Sequence, residues 1–233
     1  MIQIKTLATG SKGNCYHITD GSTPLLLECG ISFKDIQKGV SFETSSLGGV
    51  LVTHEHKDHC KGLESVLNRG LDVYMSKGTQ EALSLDHHRI KTVESKKQFK
   101  VGTWTILPFD VQHDVNEPLG FLLQSDNGSK LLFATDTYYV KYRFKGLTHI
   151  MIECNYDQQT LDENVDSGRV HPAMKKRVMR SHFSLENLLE FFIANDLSTV
   201  EEIHLLHLSD GNSNMKRIFK AVARATGKMI FIP

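Results

Sequence analysis

An α/β fold is what this sequence predicts, on three observations. Short apolar runs at 25–27, 49–52 and 131–134 have the length of buried strands. Stretches with helical spacing of apolar residues lie between such runs, as at 60–67 and 185–193. Several strand-like runs end in His, Asp or Glu, and the loops leaving strand C-termini are where α/β sheets hold ligands.

The densest of these ends is Thr53-His54-Glu55-His56-Lys57-Asp58-His59. Imidazole and carboxylate are the side chains that bind Zn, Mn or Fe. His54 and His56 are two apart, so on extended backbone they point the same way. Asp58 and His59, past a bend, can face a second ion. A lone surface His is usually only solvated, but four such residues packed at one strand end point to metal.

Composition narrows the class. Of 233 residues, 40% are hydrophobic and 23% charged, as in a globular protein with a core. Basic and acidic residues number 27 each, so any grip on a polyanion must come from a local patch. Twelve His suit a metal protein. Cys15, Cys29, Cys60 and Cys154 form no C-x-x-C pair, which argues against a zinc ribbon or disulfide framework and for a reducing compartment. No signal segment or membrane span is visible, so a cytoplasmic protein with no membrane partner is expected. No repeat or linker stands out, and a single domain over 1–233 is expected.

Taken in order, 2–7 reads as a strand, followed by the polar loop Gly10-Ser11-Lys12-Gly13-Asn14. That loop is either a backbone cradle near the metal or a plain hairpin turn. Residues 25–30 read as a buried strand whose end carries Glu28 and Gly30; Glu28 there either orients a metal-binding His from behind or is simply solvated. Ser32 is placed to cap a short helix through Gly39. After the His cluster a single helix of about ten residues is expected, then a strand at 72–75 and a helix at 79–85. A strand over 103–111 leads to His113, and the strand at 130–134 leads to Asp136. Asp126-Asn127-Gly128-Ser129 is a hairpin signal. Residues 149–153 form another strand ending in an acid, Glu153.

From Asn155 the chain turns helical. Arg169, Lys175, Lys176, Arg177 and Arg180 are the densest positive region, either a polyanion grip or a solvated helix face. Ser184 is placed to cap a helix running to Asn195, which sets His182 just before a helix start. A strand over 202–206 ends at His207, a helix follows Asn214, and 228–232 closes as a strand.

The order of the His cluster, His113, Asp136 and His207 resembles the metallo-β-lactamase superfamily. Nearly the full length is similar to its WalJ/YycJ/VicX-like exonuclease group, through Ala8-Thr9-Gly10-Ser11-Lys12-Gly13-Asn14-Cys15, Glu117-Pro118-Leu119-Gly120-Phe121 and His207-Leu208-Ser209-Asp210-Gly211-Asn212-Ser213. The resemblance implies a four-layer αββα sandwich. It implies a first metal on His54, His56 and His113, a second on Asp58, His59 and His207, and Asp136 between them. Glu28 stands where the group usually has Asp, and Tyr156 where it usually has His.

The expected function is then that of a dinuclear-metal phosphodiesterase, most of all a DNA nuclease of the 5′-to-3′ exonuclease kind, using a metal-bridging hydroxide. Asp58, Asp136 and His182 are the catalytic candidates, with His182 donating a proton or binding phosphate. Ser11, Asn14, Asn155, Lys176, Arg177, Arg180 and Asn212 are candidate substrate contacts, with DNA as partner. Two divalent ions, Zn, Mn or Fe, are expected. A hydrolase of a small or cyclic phosphodiester and a non-catalytic metal-binding regulator are the alternatives. No long arm for gripping tRNA is present.

Overall fold

A computed structural model describes all 233 residues. The chain divides into two compact units, Met1–Asp110 with Val115–Ser129, and Val111–Asp114 with Lys130–Pro233.

The first unit carries a six-stranded mixed sheet. Strands β1 (Gln3–Ala8), β2 (Cys15–Thr19) and β3 (Pro24–Leu27) are antiparallel neighbours. Strands β4 (Val50–Leu51), β5 (Val73–Met75) and β6 (Ile90–Thr92) continue it in parallel. Helix α1 (Phe33–Gly39) begins where expected, with Ser32 Oγ accepting from the Asp35 amide. The helix expected after the His cluster is broken in two, α2 (Lys57–Cys60) and α3 (Leu63–Asn68). The break falls at Gly62, where a Cβ would sit 2.5 Å from the Ile31 carbonyl oxygen. Helix α4 spans Lys77–Ala82, two residues earlier than its spacing suggested. Leu26, Ile36, Val50, Val52, Val66 and Met75 are fully buried in one apolar cluster with Cys15 and Cys29.

The same unit holds an antiparallel meander of β7 (Phe99–Val101), β8 (Trp104–Asp110) and β9 (Leu119–Ser125). Asp20, in the β2–β3 turn, ties it down. Its Oδ2 accepts from Thr103 Oγ1 and Ser125 Oγ, both at 2.6 Å, and its Oδ1 accepts from the Ser22 and Thr23 amides. Trp104, fully buried, donates its indole N–H to the Thr23 carbonyl at 2.8 Å.

The second unit is built on four parallel strands in the order β10 (Lys130–Ala134), β11 (His149–Glu153), β12 (Glu202–Leu206) and β13 (Met229–Phe231). The first three are near-continuous apolar runs, buried as parallel strands must be when both faces are covered. Between β11 and β12 run α5 (Gln158–Asp166), α6 (Pro172–Ser181) and α7 (Leu185–Ala194). Helix α8 (Met215–Thr226) leads into β13. Each start is capped by its own side chain, Asp157, His171, Ser184 and Asn214 respectively. No helix is long and apolar enough to cross a membrane.

Register sets up the chemistry. Ala134 pairs with Ile152, and Glu153 with Leu206, so three parallel strands reach the same edge together. That edge presents Asp136, Glu153 and His207. Asp136 (φ 47°) and His207 (φ 53°) leave their strands in the left-handed region, as does Glu28 (φ 65°) after β3.

Candidate metal centre

In the first unit the His cluster leaves β4 through buried Val52 and Thr53. His54 and His59 are buried, and their rings lie 4.1 Å apart between centroids. His54 Nε2 is 3.2 Å from His56 Nδ1, so the two side chains do point the same way. His56 is the N-cap of α2, which places Asp58 in the first turn and His59 one residue on. His59 Nε2 lies 3.4 Å from Asp58 Oδ2 and 3.1 Å from the Asn14 carboxamide.

The support behind these rings is specific. Thr53 Oγ1 is 2.8 Å from His54 Nδ1 and fixes that ring's turn. Glu28, fully buried, accepts from the Thr53 amide and lies 3.4 Å from His59 Nδ1. Burial raises the Glu28 pKa, against the opposing pull of His59 and Thr53. Glu28 thus stands behind a cluster histidine, as its strand-end position suggested. Gly30 makes room for the arrangement, since a Cβ there would lie 1.6 Å from the Asp58 carbonyl oxygen.

In the second unit Asp136 is the hub. Its Oδ1 is 2.8 Å from His207 Nδ1, and its Oδ2 is 3.9 Å from His113 Nε2. Thr135 Oγ1 donates to Asp136 Oδ1 at 2.8 Å. Glu153, fully buried, has no role assigned by any motif in the sequence. Its Oε1 lies 2.6 Å from His182 Nδ1 and 3.1 Å from His207 Nδ1, while its Oε2 accepts from the Thr137 and Phe183 amides. One ligand atom from each of Asp136, Glu153, His182 and His207 lies within 4.8 Å of the others. His182 closes α6 rather than opening α7, and Phe183 and Ser184 separate it from that helix. The only signal for Glu153 in the sequence is that it ends a strand, as Asp136 nearly does.

Electrostatics match a cation-binding role. Burial disfavours charged His207, but Asp136 and Glu153 outweigh it and push its pKa up to about 10. Burial likewise works against charged His182, and Glu153 raises it overall. Burial raises Glu153 while His182 and His207 pull it lower. Buried carboxylates demand positive charge close by. A divalent ion answers the same demand, and mixed imidazole and carboxylate donors suit Zn, Mn or Fe.

The substrate-contact candidates fall into two sorts. Asn14 and Asn155 are structural parts of the site. Asn14 Nδ2 lies 3.3 Å from Asp58 Oδ2, and Asn155 Nδ2 donates to the His207 carbonyl at 2.9 Å. Asn212 is held by Asn164, whose amide donates to its side-chain oxygen. Ser11 is exposed in its turn. Lys176, Arg177 and Arg180 lie exposed on α6, and Arg177 Nε is 3.7 Å from the carboxylate of Asp114, next to His113. Lys175 is committed to Asp162. Tyr156 is buried against Ser184, and burial pushes its phenol up to about 12.

Residues 25–204 match the model of the Beta-lactamase superfamily domain, and the chain belongs to that family. Its fold is the α/β sandwich of metallo-β-lactamase type, and it is a metal-dependent hydrolase by family. Within that class the chain belongs with the YycJ/WalJ exodeoxyribonucleases. It is 31% identical to exodeoxyribonuclease YycJ of Bacillus anthracis, over 93% of this chain and 86% of that one. It is also 31% identical to exodeoxyribonuclease WalJ of Streptococcus pneumoniae, over 91% of this chain and 83% of that one. Among solved structures, the metallo-β-lactamase fold protein YhfI of Bacillus subtilis aligns with a TM-score of 0.74 at 14% identity, covering 100% of this chain and 97% of that one.

Proposed function

We propose that this chain is a two-metal DNA nuclease that removes nucleotides from strand ends. The observation that carries the reading is the full set of donors at four chain positions in family order: His54-His56-Asp58-His59, then His113, Asp136 and His207. Names of relatives supply the DNA part, since YycJ and WalJ are called exodeoxyribonucleases. In this reading His54, His56 and His113 serve one ion, Asp58, His59 and His207 the other, and Asp136 both.

Divalent ions, when bound, polarise a phosphate and lower the pKa of water held beside it. The protein's own part is orientation and proton handling. Thr53 sets the His54 ring, Glu28 stands behind His59, and Glu153 holds His207 and His182 together. With Nδ1 on Glu153, His182 has Nε2 for the leaving oxygen, to which it would deliver a proton as the P–O bond breaks. Lys176 and Arg180, one helical turn apart on α6, would hold backbone phosphates.

The test is loss of end-labelled duplex DNA, with Mn or Zn added, by wild type and by Asp58→Ala. Metal-dependent loss in wild type alone is the expected result, and the label's release pattern gives the polarity. Turnover of a chromogenic diester by wild type without any loss of DNA would instead select a small-phosphodiester hydrolase.

A further inference from the structure

Between Asp136 and β11 the chain runs Thr137-Tyr138-Tyr139-Val140-Lys141-Tyr142-Arg143-Phe144, three tyrosines and two cations within six residues. This segment does not fold as a helix or strand. It walls a cavity of about 470 Å³ against α7, within the second unit. Phe183 and Phe191, both buried, form the inner side. Tyr139, 53% exposed, stands at the mouth with the exposed Lys141 and Arg143. Lys141 Nζ lies 5.2 Å from the centroid of the Tyr142 ring.

We infer that this cavity receives an unpaired nucleobase of single-stranded DNA, stacked on tyrosine with its phosphate held by Lys141 and Arg143. The inference rests on the nuclease reading and deepens it: the nucleotide is held unpaired, whether on a single strand or frayed from a duplex end. Several observations carry it. Flat aromatic faces joined to cations are the means by which proteins hold single strands without reading sequence. The volume falls within the range of pockets that hold ligands of nucleotide size. The charge is divided: Glu190 lines the cavity as well, and its carboxylate repels phosphate while accepting from a base's exocyclic amine. A base can enter this cavity only when it is out of the duplex stack, which covers both of its faces, so a duplex interior does not fit.

The segment is also braced toward the reacting edge of the same unit. Thr137 donates its amide to Glu153 at 3.1 Å and its hydroxyl to the Tyr139 carbonyl at 2.9 Å. Asn187 of α7 donates to the Tyr138 carbonyl, and Asn195 accepts from the Phe144 amide. Glu153 is the carboxylate that holds His182 and His207. One hydrogen-bonded chain therefore fixes the tyrosines relative to the residues proposed to act on phosphate.

The test compares wild type, Tyr139→Ala and Tyr139→Phe, with Tyr142→Ala as a second truncation. Thermal melts establish that each is folded. Binding is read by anisotropy of a dye-labelled oligo(dC), whose bases carry the exocyclic amine, and of the same backbone with abasic sites, and degradation by single-strand KM and kcat. Wild type should prefer the base-bearing strand. Tyr139→Ala should lose that preference and raise KM on the order of tenfold with kcat little changed, while Tyr139→Phe keeps both. Equal affinity of wild type for the two strands, or a Tyr139→Ala and Tyr142→Ala pair that binds as wild type does, overturns the proposal. Should wild type degrade no DNA at all, the nuclease reading fails by itself, and the binding comparison still decides the base site.

Discussion

At the scale of single residues, His182 is the side chain whose role is most open to experiment. It shares Glu153 with His207 and keeps about a fifth of its side chain exposed. If it supplies a proton, His182→Ala should lower kcat by about 10²–10⁴-fold and leave metal content near wild type. Metal analysis beside single-turnover kinetics checks this, and equal loss of metal and turnover would make His182 a ligand instead. The seven proposed donors are legible as candidates in the sequence because each follows a strand or sits in a tight local pattern. Glu153 was not readable as a hub. Its partners lie 29 and 54 positions away: the end of α6 carries His182 to it, and the parallel register of β11 and β12 carries His207.

At the scale of elements, capped helices were legible and long-range packing was not. Ser32 and Ser184 announced α1 and α7 because a cap is a local bargain between a side chain and an amide three residues on. The split of α2 from α3 falls instead at Gly62, whose amide donates to the Cys29 carbonyl at 2.7 Å and where the Ile31 carbonyl leaves no room for a Cβ, and no periodicity reports either contact. The Asp20 turn is likewise a long-range joint, and its energetics are measurable. Burial alone would raise the Asp20 pKa, but hydrogen bonds from Ser125, Thr103, Thr23 and Ser22 outweigh it and lower it from 3.8 to about 2. A carboxylate with a lowered pKa adds stability above its unfolded value, lost as the pH falls through its folded value. Asp20→Asn should therefore cost about 1–3 kcal/mol at neutral pH. In urea melts the gap from wild type should close between the unfolded value of 3.8 and about 2. On α6, Lys176→Ala with Arg180→Ala should weaken DNA binding and make the plot of log K against log salt shallower by about 1.5–2. Arg177→Ala should change that slope less, since Asp114 already neighbours its guanidinium. Binding titrations at several salt concentrations measure both, and an unmoved slope would return α6 to a solvated face.

At the scale of the whole molecule, metal and stability should be linked. Mn or Zn at about 100 times its Kd should add close to 3 kcal/mol, which is roughly 5–10 °C in Tm for a chain of this size. Asp136→Asn should show much less of that rise in a melting series with and without chelator. A wild type whose Tm ignores both ions would remove the metal reading. Fold class and family were legible from motif order alone. The tyrosine-lined cavity was not, because its two walls come from segments some 45 positions apart. The left-handed backbone at Glu28, Asp136 and His207 has a consequence for evolution. Such positions cost of order 1–3 kcal/mol when the residue is not glycine. Glycine at any of them would relieve the backbone and delete a site carboxylate or imidazole in the same step. A library of variants selected for heat resistance alone should therefore drift toward glycine there and become inert, so durability and turnover pull this chain in opposite directions.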